Sequence, residues 1–81
     1  MRQIEKSKRD FQTAVELDPK KLSGYIGLGD CNRIEGEFLT AIQNYTIVLQ
    51  QDASVFEIIG LKRAICYIEL KQYNLAENDI N

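Results

Sequence analysis

Slid along itself, the chain meets its own pattern again after 34 residues near its start and after 35 further on. At the shorter offset Ile4 falls on Phe38, Ser7 on Ala41, Phe11 on Tyr45, Ala14 on Val48 and Pro19 on Ala53. At the longer one Tyr25 falls on Gly60, Gly29 on Ala64, Phe38 on Tyr73, Ala41 on Ala76 and Tyr45 on Ile80. Small residues return on small ones, and the aromatics Phe11 and Phe38 return on tyrosines. A fixed period of this length marks stacked supersecondary units, each burying a face on its neighbour. The change of offset requires one additional residue, expected in the loop near Asp52.

Within each unit the apolar spacing is helical. The segment from Arg2 to Leu17 sets Ile4, Phe11, Ala14, Val15 and Leu17 near one face. It stops at Asp18-Pro19, because proline disfavours a helical residue before it; Asp18 is expected to cap the next helix, with Pro19 in its first turn. That second helix carries Leu22, Tyr25, Ile26, Leu28 and Ile34, and Gly36 ends it as a C-terminal cap. Phe38, Ile42, Tyr45, Ile47, Val48 and Leu49 define a third helix, which breaks at residues 51–53. Ser54-Val55-Phe56-Glu57 fits a capping box opening a fourth helix, apolar around most of its circumference. A turn at Lys71-Gln72 leads to a last helix with Tyr73, Leu75, Ala76 and Ile80. The fold class is therefore all-α: an α-α superhelix, or solenoid, of antiparallel helix hairpins, about five helices in all.

The stretch from Tyr25 to Ala41 is the centre of this organisation. Gly24, Gly27 and Gly29 crowd its helix. Each glycine costs a helix about 0.5 to 1 kcal/mol against alanine, so three together point to close approach of another helix. A phosphate-binding loop is the competing reading of GLGD, but such a loop follows a strand, and no β-type run precedes these glycines.

The register of these residues resembles the tetratricopeptide repeat family. Its pattern of aromatic, leucine and small residue, then aromatic, small, aromatic, small and proline, is similar to Tyr25, Leu28, Gly29, Phe38, Ala41, Tyr45, Val48 and Ala53. The next unit matches through Ala64, Tyr67, Tyr73 and Ala76, and the first helix through Phe11, Ala14 and Pro19. Four positions depart from the pattern: Asn32 stands at a usual tyrosine, Gly60 at an aromatic, Ala53 at proline and Lys71 at glycine. The resemblance implies a repeat segment over the whole chain. Residues 1–18 form the second helix of a partial repeat, 19–53 a complete repeat, and 54–81 a repeat truncated in its second helix. An excerpt of a longer array, or a piece completed by another chain, is the expectation.

Composition narrows the function classes. With no histidine, and no serine or cysteine beside a base at motif spacing, the chain offers no catalytic constellation, and no enzyme is expected. The same lack leaves Cys31 and Cys66 without a zinc site, and neither metal nor cofactor is expected. Both cysteines are read as structural thiols, unpaired because neighbouring helices stand ~8 to 10 Å apart. Residues 1–21 hold six Lys/Arg against four Asp/Glu and the remainder four against eight, too little of either sign for nucleic acid or an anionic membrane. No run approaches the ~20 apolar residues of a membrane span, and MRQIEKSKRD is no signal peptide, so a soluble cytoplasmic protein is expected.

The resemblance also implies where a partner binds. First helices of such repeats line a concave groove that takes a helix or an extended segment of a protein. The groove positions carried over are Ser23, Ile26, Asp30 and Arg33 from one hairpin and Ile58, Leu61, Lys62, Ile65 and Glu69 from the next. The family's carboxylate clamp, a lysine and an asparagine four residues apart, is replaced by Ile26 with Asp30 and by Leu61 with Ile65. A partly apolar groove in a non-catalytic adaptor of a multiprotein assembly is the expectation. The competing one is a structural subunit whose repeats pack only on flanking repeats and neighbouring subunits, with Ile58, Leu61 and Ile65 as core. Arg63 and Asp79 are expected to meet as an exposed pair across the last hairpin.

Overall fold

A computed structural model describes residues 2–80. It is all-α among those residues: α1 (Arg2–Leu17), α2 (Leu22–Ile34), α3 (Phe38–Gln51), α4 (Phe56–Glu69) and α5 (Tyr73–Ile80), with a single 3₁₀ turn, Ala53–Val55, leading into α4. Every large contact joins helices adjacent in the chain. Extents of 34 × 28 × 15 Å leave room for two layers of ~10 Å helices across the thin direction. No described helix is long and apolar enough to cross a membrane.

The core is formed where α3 lies against α2 and α4. Ala41, Tyr45, Val48, Ile59 and Cys66 are buried there, flanked by half-buried Leu22, Tyr25, Ile26, Phe38, Ile42 and Leu49. The glycines of α2 work as their crowding implies. A Cβ at Gly29 would stand 2.5 Å from the Tyr45 ring, and one at Gly27 would stand 2.4 Å from the Phe11 ring. Two aromatic rings therefore lie directly on the backbone of α2, one from each side. Gly24 admits Val15 in the same way. Cys31 and Cys66 are both buried and unpaired, and burial raises the pKa of each thiol.

The two hairpin turns share one mechanism. Gly36 takes φ +81°, its N–H donates to the Arg33 carbonyl at 3.1 Å, and the Glu37 N–H reaches back to the Asn32 carbonyl at 2.7 Å. Lys71 takes φ 61° and repeats both bonds, to Ile68 at 2.9 Å and from Gln72 to Tyr67 at 2.8 Å. These are left-handed caps that satisfy the last carbonyls of α2 and α4.

Three local expectations are corrected. Asp18 does not cap α2: its carboxylate accepts from the Lys20 N–H at 3.2 Å inside the preceding turn, and Lys21 is the cap residue, without a side-chain bond. Ser54 is not the cap of α4 either. Asp52 caps the 3₁₀ turn that precedes it, accepting from the Ser54 N–H at 3.0 Å and from its hydroxyl at 2.5 Å, and the cap position of α4 itself is Val55, without a side-chain bond. Finally, residues 18–21 and 52–55 are connections of equal length, whereas α4 has 14 residues against 13 in α2. The additional residue of the second period thus lies inside α4, not in the loop near Asp52.

Candidate functional site

An ion pair spans from α2 to α4, both of which pack on α3. Lys62 Nζ lies 3.0 and 2.9 Å from the two carboxylate oxygens of Asp30. Asp30 also accepts from the Tyr45 hydroxyl at 2.5 Å, and the Arg33 guanidinium donates to that hydroxyl oxygen at 3.3 Å while standing 3.8 Å from Asp30. One buried phenol on α3 thus anchors a carboxylate on α2, which in turn holds a lysine on α4. Burial, aided by the hydrogen bond to Asp30, pushes the Tyr45 hydroxyl well above its usual range, so it stays a neutral donor.

On α4 the residues beside this bridge are apolar and open. Ile58 is 64 % exposed, Leu61 52 %, Ile65 40 % and Ile68 43 %, whereas Ile59, Gly60, Ala64 and Cys66 on the opposite face are buried. The helix is apolar around its girth, as its sequence implies, with half of that surface uncovered. Glu57 and Glu69 flank the open stripe and are exposed. Beside Leu61 a notch opens between α4 and α5, lined by Phe56, Glu57, Leu61, Asp79 and Ile80.

The carried-over groove positions separate into three groups. Asp30, Arg33 and Lys62 meet in the polar bridge. Ile58, Leu61 and Ile65 form the open stripe, with Glu69 at its border. Ile26 is half-buried against the core cluster, and Ser23 is exposed near the start of α2. Two participants are missing from the sequence reading. Tyr45 was a core aromatic there, and its ring is one, but its hydroxyl reaches the site. Ile68 continues the stripe, and the longer repeat offset that sets Ser23 on Ile58 also sets Arg33 on Ile68.

Two further polar clusters hold the hairpins together. Arg63 donates to both carboxylate oxygens of Asp79 at 2.7 Å and to the Thr46 hydroxyl at 3.0 Å, and its guanidinium lies 5.9 Å from the Tyr67 ring centre. This pair is not exposed: the Asp79 side chain is 5 % accessible and that of Arg63 17 %. On the other hairpin Lys8 pairs with Glu37 at 2.7 Å and Glu35 at 3.3 Å. Glu37 also accepts from the buried Asn32 at 3.3 Å, whose carbonyl in turn accepts from Asn44 at 2.8 Å. Asn32 thereby satisfies the polar atoms of its side chain although the residue is buried.

Among the described residues no three His, Cys, Asp or Glu side chains gather as metal ligands would. No protein-family model matches the chain, and no curated protein matches it either.

Proposed function

We propose that the chain is a non-catalytic protein-interaction scaffold of tetratricopeptide type, which binds a helix or extended segment of a protein partner on the face shared by α2 and α4. The observation that carries this is the open stripe of Ile58, Leu61, Ile65 and Ile68 lying beside the Asp30–Lys62 bridge. Large aliphatic side chains left in water along one helix face favour a covering partner, and each one buried contributes on the order of 1 kcal/mol or more. The bridge favours pre-organisation, since it ties α2 to α4 in the chain's own fold. The repeat register supports the family reading: the small pairs Gly29 with Ala64 and Ala41 with Ala76, and the left-handed caps Gly36 and Lys71, fall at corresponding places in successive hairpins. The protein works in the cytoplasm as an adaptor within a larger assembly, without cofactor or nucleic acid.

Replacing Leu61 and Ile65 by aspartate in the intact protein abolishes partner capture while helicity by circular dichroism is retained; capture at the parent level overturns the proposal. A structural-subunit role is favoured by a different observation, the exposure of Tyr73, Leu75 and Ile80 on α5 at 60, 44 and 59 %. Under that reading substitutions on α5 disrupt the assembly and those on α4 do not.

A further inference from the structure

The open stripe of α4 has a specific rhythm. Ile58, Leu61, Ile65 and Ile68 follow one another at intervals of three, four and three residues, the spacing of the seam along which two helices interlock side chains at a shallow crossing angle. All four are 40 % exposed or more, so the seam lacks its second helix among the described residues. An extended strand, with side chains repeating every second residue, has no means of matching that rhythm.

The charges bordering the seam select the partner further. Its flanking positions are Glu57, Lys62, Ala64 and Glu69. Ala64 is buried, and Lys62 is already held by Asp30, with Arg33 behind it. Glu57 and Glu69 have no cation within 4.0 Å among the described residues. Glu57 also stands at the notch whose other walls include Phe56, Leu61 and Ile80. A carboxylate above an apolar floor suits a lysine or arginine, which lays its hydrocarbon stem on the floor and sets its charge against the rim.

We infer that this seam receives an amphipathic helix from a protein partner, with aliphatic residues at the same three-four spacing and lysine or arginine on its flanks, one of them seated in the notch against Glu57. The inference rests on the scaffold reading above and narrows it to a helical, basic occupant. Glu57 and Glu69, both exposed beside the stripe, favour such a partner at the seam itself.

Three synthetic 21-residue helical peptides test this against the 81-residue chain by fluorescence anisotropy at low and at physiological salt. One has leucine and isoleucine along a seam with lysine flanks; the second has the same seam with glutamate flanks; the third keeps the lysines and replaces the seam by serine. The lysine-flanked seam peptide binds at least tenfold tighter than either control, and its advantage shrinks as salt is raised. The exposed double variant Glu57→Lys with Glu69→Lys inverts the preference, and Leu61→Asp removes binding of both seam peptides. Equal affinity for lysine- and glutamate-flanked peptides, with Leu61→Asp still abolishing both, overturns the basic occupant and leaves the scaffold reading standing. Absence of binding by every peptide overturns the helical occupant. Self-association of the chain in sedimentation, lost in Leu61→Asp, identifies a second copy on the seam and likewise overturns it.

Discussion

At the scale of single residues, the glycines of α2 separate conformational effects from spatial ones. Alanine is the better helix former, yet Gly29→Ala drives a methyl into the ring of Tyr45, which is fully buried and has nowhere to move. We expect a loss of about 2 to 3 kcal/mol in urea denaturation. Gly27→Ala meets the ring of Phe11, which is half-buried and able to shift, so its cost is smaller, about 1 to 2 kcal/mol. At Lys71 the logic reverses. Its φ of 61° strains a residue with a side chain, so Lys71→Gly raises stability by about 1 kcal/mol. Acid acts on another residue. The hydrogen bond from Lys8, with a second from Asn32, holds the Glu37 carboxyl below its ordinary value of 4.5. A depressed carboxyl stabilises the fold above that ordinary value and loses its contribution as pH falls through the lower value of the folded state. The urea midpoint therefore drops on going from pH 5 to pH 3, and Glu37→Gln, already deprived of that contribution at pH 5, drops less.

At the scale of elements, α5 packs on α4 and is tied to it by one buried ion pair. Asp79 is buried, and Arg63 satisfies both of its oxygens while bonding Thr46 on α3. Arg63→Ala leaves that carboxylate buried without its partner, at a cost of about 3 to 5 kcal/mol. Hydrogen exchange in this variant accelerates across residues 73–80 and leaves residues 22–34 at their parent rates. The existence of the helices was legible in the chain, as were the span of Arg2–Leu17 and the turns at Gly36 and Lys71, which follow from apolar period and turn chemistry alone; the starts of α2 at Leu22 and of α4 at Phe56 were not. The caps were not. Asp18 and Ser54 both have capping side chains, but Asp52 lies one turn upstream of Phe56 and pre-empts Ser54, and Asp18 is spent inside its own turn. Local sequence does not say which of two competing acceptors closes a turn. The additional residue within α4 was hidden for a related reason, because a helix absorbs one residue by rotation and leaves no punctuation. In the site, the open stripe was legible from the repeat register, whereas the role of Tyr45 was not. Its neighbours mark it as core, and only the packed geometry brings its hydroxyl to Asp30.

At the scale of the whole molecule, the core is concentrated where α3 meets α2 and α4, while α1 and α5 each pack mainly on one neighbour. Stability is accordingly graded along the chain. Amides around Ala41, Tyr45 and Val48 exchange slowest, and those of α1 and α5 exchange fastest, in native-state hydrogen exchange. Uniform protection from end to end runs against this grading. The neighbour-only contacts that produce the grading also govern how the chain comes together in time. No early segment has to wait for a distant one, so little loop entropy opposes each docking step, and helical folds of such local connectivity form in about microseconds to milliseconds. Emerging from the ribosome at ~5 to 20 residues per second, each hairpin has time to close on the one before it long before the next is complete. The order in which the chain is made is then the order in which it is built.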